Sequence, residues 1–285
     1  MQVESPARGH PSWKSILNAR HIALPNEHGA WVFLFSPLLI GLFAGGVRPA
    51  SFLLVTAALA AFLVRQPVTI AVKVFAGRRP KNELPGVYFW LAFYGLFGLS
   101  ASAALVALGY SYLFWLAVPA LPVFAWHLWL VSRRAEHGQM VVEILASGIL
   151  ALSAPAAFWL GHRQIDSVGW LLWGLSWAQT AGSILYIYLR LEQRQLKQHP
   201  AGVEALYMAR PSLIYNLVLF GLVLALAAWR AIPLLLPLAY AIQLAEVIWA
   251  MFHPAVKLKP KTIGFRQLFV SFVFTAAFIL IWSGN

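Results

Sequence analysis

Residues 212–229 read SLIYNLVLFGLVLALAAW, an apolar run closed off by Arg210 before it and Arg230 after it. A membrane-crossing helix needs about 20 mostly apolar residues, with roughly 17–25 tolerated. A helix that is apolar on every face is either buried in a large core or dissolved in lipid. Similar runs lie to either side, over 30–47, 50–76, 86–108, 111–131, 139–160, 168–189, 233–252 and 266–283. A chain of 285 residues cannot build protein cores around all of them. The expectation is an all-α, polytopic membrane helix bundle with about nine transmembrane helices.

Composition agrees. The chain is 61% hydrophobic and 11% charged, too little charge to cover a water-facing surface. Its 17 prolines and 20 glycines are ordinary in membrane helices. With no cysteine, disulfides, thiolate metal sites and cysteine nucleophiles are excluded. A net charge of +12 would suggest nucleic acid in a soluble protein. Here the positive-inside bias and the anionic inner leaflet account for it, so the expected partner is the bilayer and not nucleic acid.

The charges also orient the chain. With nine spans, Arg48, Arg163 and Arg230 fall on one side, and the remaining 18 of the 21 Lys+Arg fall with the N-terminus. An N-terminus in the cytoplasm, an external C-terminus and a multi-pass position in the cell membrane follow. Trp31, Trp90, Trp126, Trp129 and Trp249 are expected at the inner interface. Trp115, Trp159, Trp170, Trp173, Trp229 and Trp282 are expected at the outer one, with Trp177 deeper.

Residues 1–29 read as a cytoplasmic tail, with an interfacial helix expected over 12–24. Residues 30–285 read as a single membrane domain. Glu27-His28-Gly29 and Glu136-His137-Gly138 each open a pair of helices that ends in a basic cluster, the pattern of two related halves. The second span carries Arg65, Pro67 and Lys73, so a kink near Pro67 is expected.

Ionisable and amide groups inside spans are costly and mark candidate sites. Arg65 lies about 22 Å along its helix from the outer side. Glu143 and Asn216 stand just inside their spans, and His28 opens the first. Gln243, Glu246, Ala250 and His253 share one helical face, as do Gln179, Ser183, Tyr186 and Arg190 on another helix. The reading is a polar pocket near the cytoplasmic side, ligand-binding through His28, Arg65, Glu143, Arg190, Asn216, Gln243 and Glu246, with Glu246 expected to approach Arg65 or Arg190. His127 reads as a packing residue. For Lys73, Arg133, Arg134 and Lys257, reaching out to the headgroups is explanation enough.

Pro25-Asn26-Glu27-His28-Gly29-Ala30-Trp31 resembles the opening motif of the YwiC-like membrane protein family, Pro-x-x-His-Gly-Ala-Trp at the start of helix one. The basic run from Lys73 to Lys81, Gly182-Ser183 with Arg190, and Ile263-Gly264 are similar as well. The resemblance implies a membrane protein without an established activity. Nine helices with polar loops after the second and sixth also resemble the plan of UbiA-type prenyltransferases, which hold Mg²⁺ and pyrophosphate through Asp-rich motifs. Here those places offer Arg65-Gln66-Pro67 and Arg190-Leu191-Glu192-Gln193-Arg194, and the one aspartate is Asp166 on the other side. Guanidinium groups cannot ligate Mg²⁺, though they can meet a phosphate or carboxylate directly. No metal site is expected, and no cofactor or catalytic residue is assigned. The ligand class expected is an anionic phospholipid or isoprenoid. An accessory subunit of a membrane complex and a small-solute transporter are the competing functions.

Overall fold

The structure, a computed structural model, describes residues 20–25, 28–133, 139–200 and 202–284, apart from the side chains of Arg20 and His28. Most of the tail helix expected over 12–24 and most of the two Glu-His-Gly triplets lie outside the described residues. Among the described residues every regular element is helical. The short α1 (Arg20–Ala23) leads to α2 (His28–Gly45) and α3 (Ala50–Phe75). Then come α4 (Leu84–Ala107) and α5 (Ala117–Ser132), the latter entered through a 3-10 turn over Ser111–Leu116. The second half holds α6 (Met140–Ala151), α7 (Ser153–His162), α8 (Ser167–Gln195), α9 (Val203–Ala228), α10 (Pro237–Phe252) and α11 (Pro260–Ser283).

Among the described residues six stretches are long and apolar enough to cross a membrane: 50–75, 81–107, 111–132, 140–162, 203–228 and 260–283. The expected count of nine is not reached by that measure, for identifiable reasons. α2 and α10 are apolar but short. Pro233 and Pro237 delay the start of α10 past the 233 read from the sequence. α8, with 29 residues, carries a buried polar stripe of Ser176, Gln179, Ser183, Tyr186, Arg190 and Gln193 that lowers its hydropathy. Those side chains face protein, where lipid does not penalise them. The fifth run is divided at Leu152 into α6 and α7, since Pro155 lacks the N–H that Ala151 would accept. α3 continues through Pro67 to Phe75.

Successive segments run in opposite directions, and contacts between connections show it. At one end Arg78 donates to the Val131 carbonyl. At that end also, the Arg194 Nε donates to the Leu258 carbonyl at 2.9 Å. At the other end Arg48 donates to the Gly161 carbonyl, and Arg163 stands over the Tyr110 ring at 5.8 Å. The connections rich in Lys and Arg thus gather at a common basic end. Turns are tight where glycine permits. Gly109 (φ +87°) follows α4, with Tyr110 N–H bonding Leu105 O and Gly109 N–H bonding Val106 O, a Schellman closure.

α2, α7 and α8 form the centre. Gly41 and Gly45, one turn apart, let α2 lie directly on α7: a Cβ on Gly41 would stand 2.1 Å from the Ala154 carbonyl oxygen. Trp173 and Trp177 stitch α8 to α6, their indole N–H groups donating to Gly148 O at 2.9 Å and Ile144 O at 2.8 Å. Trp159 is fully buried, its N–H on Asp166 O. The indole N–H groups of Trp159 and Trp173 are thus both spent on backbone carbonyls of the bundle. Large apolar side chains such as Phe52, Leu99, Phe272 and Leu280 stay exposed on the perimeter, the surface of a bundle solvated by lipid.

Candidate functional site

α3 delivers Arg65, α5 delivers His127 and the first turns of α6 deliver Glu143 and Ser147 to one cavity of about 280 Å³ near the basic end. Ile184 and Ile187 of α8 and Gly29 and Ala30 of α2 complete its wall. Arg65 lies over the Phe62 ring at 5.7 Å, and Glu143 accepts from the Tyr188 hydroxyl at 3.0 Å. Ser147 is buried and turns its hydroxyl onto the Ile144 carbonyl at 2.8 Å, as a serine in a membrane helix commonly does.

A larger cavity, about 520 Å³, adjoins the first. Arg65, His127, Ala146 and Leu150 line both. From there the wall turns apolar, through Ala61, Ala57 and Leu54 on α3 and through Phe124 and Ala120 of α5 to Leu116 of the 3-10 turn. Arg65 to Leu54 is eleven residues of helix, about 16 Å of depth. The residues lining it along α5 are small or at least partly exposed, and among the described residues α5 packs mainly on α3, α6 and its own 3-10 turn. The cavity's outer wall is accordingly thin.

The structure separates residues that the sequence reading placed in one pocket. Arg65 lines both cavities and Glu143 the smaller one; Arg190, on the opposite face of α8, and Asn216, Gln243 and Glu246 beyond that helix line neither. The side chain of His28 lies outside the described residues. α8 is the partition: Ile184 and Ile187 face the cavity, while Ser183, Tyr186 and Arg190 face α10. Glu246 pairs with neither Arg65 nor Arg190. It takes a two-pronged contact from Arg266 of α11, Nε–Oε2 2.8 Å and Nη2–Oε1 3.1 Å. Tyr186 adds its hydroxyl at 3.3 Å. The apolar run starts only at Arg266, but α11 begins at Pro260, so Arg266 stands nearly two turns inside the helix. A proline at the first helical position was the available signal.

Arg190 is 2% exposed and is held without a carboxylate. Its Nη1 donates to Gln193 Oε1 at 2.9 Å and to the His253 carbonyl at 2.7 Å. Its guanidinium lies 5.4 Å from the Trp249 ring, over which Arg266 also stands at 3.5 Å. Two cations therefore share one indole, and for Arg190 ring electrons and carbonyl dipoles stand in place of a counter-ion. Asn216 bonds back onto its own helix by donating to Ser212 O at 2.8 Å, and its Oδ1 fills the space that Gly182 leaves open. His127, set aside from the sequence as a packing residue, lines both cavities. Among the described residues no three His, Cys, Asp or Glu converge to hold a metal ion.

Residues 24–158 match the YwiC-like protein family. That segment contains Arg65, His127 and Glu143 but stops short of the α8–α11 cluster. The chain is also 26% identical over 172 residues to "Uncharacterized protein YwiC" of Bacillus subtilis (strain 168), a stretch covering 60% of this chain and 68% of that one. No solved structure matches. From the opening motif of α2 into α7, this all-helical chain is thus similar to YwiC-like proteins.

Proposed function

We propose that this membrane protein binds an anionic amphiphile, a phospholipid or isoprenoid, with its head at Arg65 and His127 and its tail along α3 and α5. The observation that carries this reading is the sharing of Arg65, His127, Ala146 and Leu150 between a small polar cavity and a large apolar one. An apolar volume with a few convergent polar groups at one end has the chemistry of an amphiphile site. Arg65 supplies the charge for a phosphate or carboxylate, and its planar fork suits either. His127 adds a second ring donor. Glu143 disfavours a second anionic group at the Tyr188 side, so a singly anchored head fits better than a diphosphate spread over both walls. The thin wall at α5 offers entry from the bilayer.

The test is to purify the full chain from membranes in mild detergent and measure co-purifying lipid by mass spectrometry. One anionic species enriched over bulk lipid is expected. Arg65→Leu should reduce it several-fold, and Lys257→Leu should not. Equal retention by both variants would refute the assignment.

A further inference from the structure

The polar stripe of α8 continues beyond its pairing with Glu246 into a part of the bundle that the amphiphile site does not use. Ser183 donates to Gln243 Oε1 at 3.2 Å, and Gln267 of α11 donates to that same oxygen at 2.8 Å. One turn further from the basic end stands Gln179, then Ser176. On α11, which runs antiparallel to α8, Ser271 and Thr275 follow Gln267 at the same spacing, and Thr275 meets Ser36 of α2 at 2.5 Å. From Gln193 to Ser176 this polar line rises about 25 Å.

Several of its groups have no protein partner among the described residues. They are both ends of the Gln179 amide, the Nε2 of Gln243, the Oε1 of Gln267, and the hydroxyls of Ser176 and Ser212. All five side chains are at least 96% buried. Turning an amide over does not help: Gln243 and Gln267 then exchange one unpartnered atom for another. Polar groups gathered this deep are normally satisfied, and each one left bare is costly.

Their chemistry selects the occupant. Two are acceptors, two are donors and two are hydroxyls that do both. A cation would serve only the oxygens and an anion only the N–H groups. A small neutral molecule that donates and accepts serves all of them. The two ends differ in exposure. Glu246 and Arg266, with side chains 19% and 35% exposed, stand at the basic end. Phe274, Phe278, Tyr240 and Leu172, all 2% exposed or less, close the other.

We propose that the interior between α8, α9, α10 and α11 is a blind, hydrated seam: a column of ordered water held by Gln179, Gln243 and Gln267 and entered past the Glu246–Arg266 pair. Water molecules in such places make about three hydrogen bonds each to otherwise unpartnered groups. The seam is separate from the Arg65 cavity, and its existence does not depend on what that cavity binds.

A density map of the full chain in lipid, at a resolution that shows water, tests this. Compact peaks should lie within hydrogen-bonding distance of both a donor and an acceptor among the three glutamines. Amides re-paired with one another and no peak would overturn the proposal, as would a peak ringed by oxygens alone, the mark of a cation. Thermal unfolding gives an independent readout. In a hydrated seam Gln179→Leu strips the water of an anchor, and the midpoint falls by about 2–4 °C, the scale of one lost hydrogen bond in a chain of this size. In a dry seam the same change removes two bare polar atoms, so a midpoint that holds or rises refutes the proposal. Should the variant fail to fold, the map of the unaltered protein decides alone.

Discussion

Ser183 on α8 donates a hydrogen bond to Gln243 on α10 across 3.2 Å, and this contact sets the register in which two polar helix faces mate. One turn towards the basic end Tyr186 meets Glu246; beyond it Arg190 reaches the His253 carbonyl and Gln193 the Ala250 carbonyl. In lipid, where apolar burial does not distinguish one helix neighbour from another, such polar contacts and close backbone packing select the pairing. The variants that follow probe these contacts.

Glu246→Leu leaves Arg266 without its carboxylate and Tyr186 without its acceptor. The pair is partly exposed, so a loss of about 1–2 kcal/mol is expected, against almost none for Lys257→Leu. The double change Glu246→Leu with Arg266→Leu should recover part of that loss, while Glu246→Leu with Arg65→Leu should be additive within about 0.5 kcal/mol. Unfolding midpoints of the four variants decide between the two pairings.

Gly41→Ala forces a methyl group into the Ala154 carbonyl, backbone against backbone, with no flexible side chain to yield. A loss of about 1–3 kcal/mol or more is expected from overpacking. Gly95→Ala and Gly174→Ala, where an added Cβ meets nothing within 4 Å, should be tolerated. Comparable destabilisation at all three would show that α2 and α7 are not in direct contact.

Ala120→Phe and Ala57→Phe place a ring in the 520 Å³ cavity, from opposite walls. Each should lower the retained amphiphile several-fold while leaving the unfolding midpoint of delipidated protein within about 2 °C of the unaltered chain, because a void is filled and no packed core is displaced. Mass spectrometry of the purified variants reads the first effect and a thermal melt the second. Full lipid retention by both would exclude this cavity as the tail site.

Reporter fusions after Lys81, Lys197 and Lys261 should read cytoplasmic, and fusions after Tyr110, Asp166 and Asn285 external. The contacts Arg194–Leu258 and Arg48–Gly161 group these connections at opposite ends of the bundle, and the basic end belongs inside. A cytoplasmic C-terminus would mean that one segment does not cross.

The sequence by itself determined the solvent, the helical class and the gathering of basic connections at one end, because these depend on local sums: apolar run length, and Lys and Arg counted connection by connection. It also exposed the two polar faces, Gln179 to Arg190 and Gln243 to His253, since helical periodicity is local as well. Only the tertiary structure decided what those faces meet. Periodicity shows that a face is polar; it carries no information on which helix, sixty residues away, supplies the partner. So Arg65 and Glu246, of similar depth by residue count, turned out to lie on opposite sides of α8. Arg266 was hidden because one proline moved a helix start by six residues from the 266 read in the sequence to Pro260. The joined cavities behind Arg65 were not legible at all, because a cavity is a property of how helices fail to touch, and no single segment encodes that.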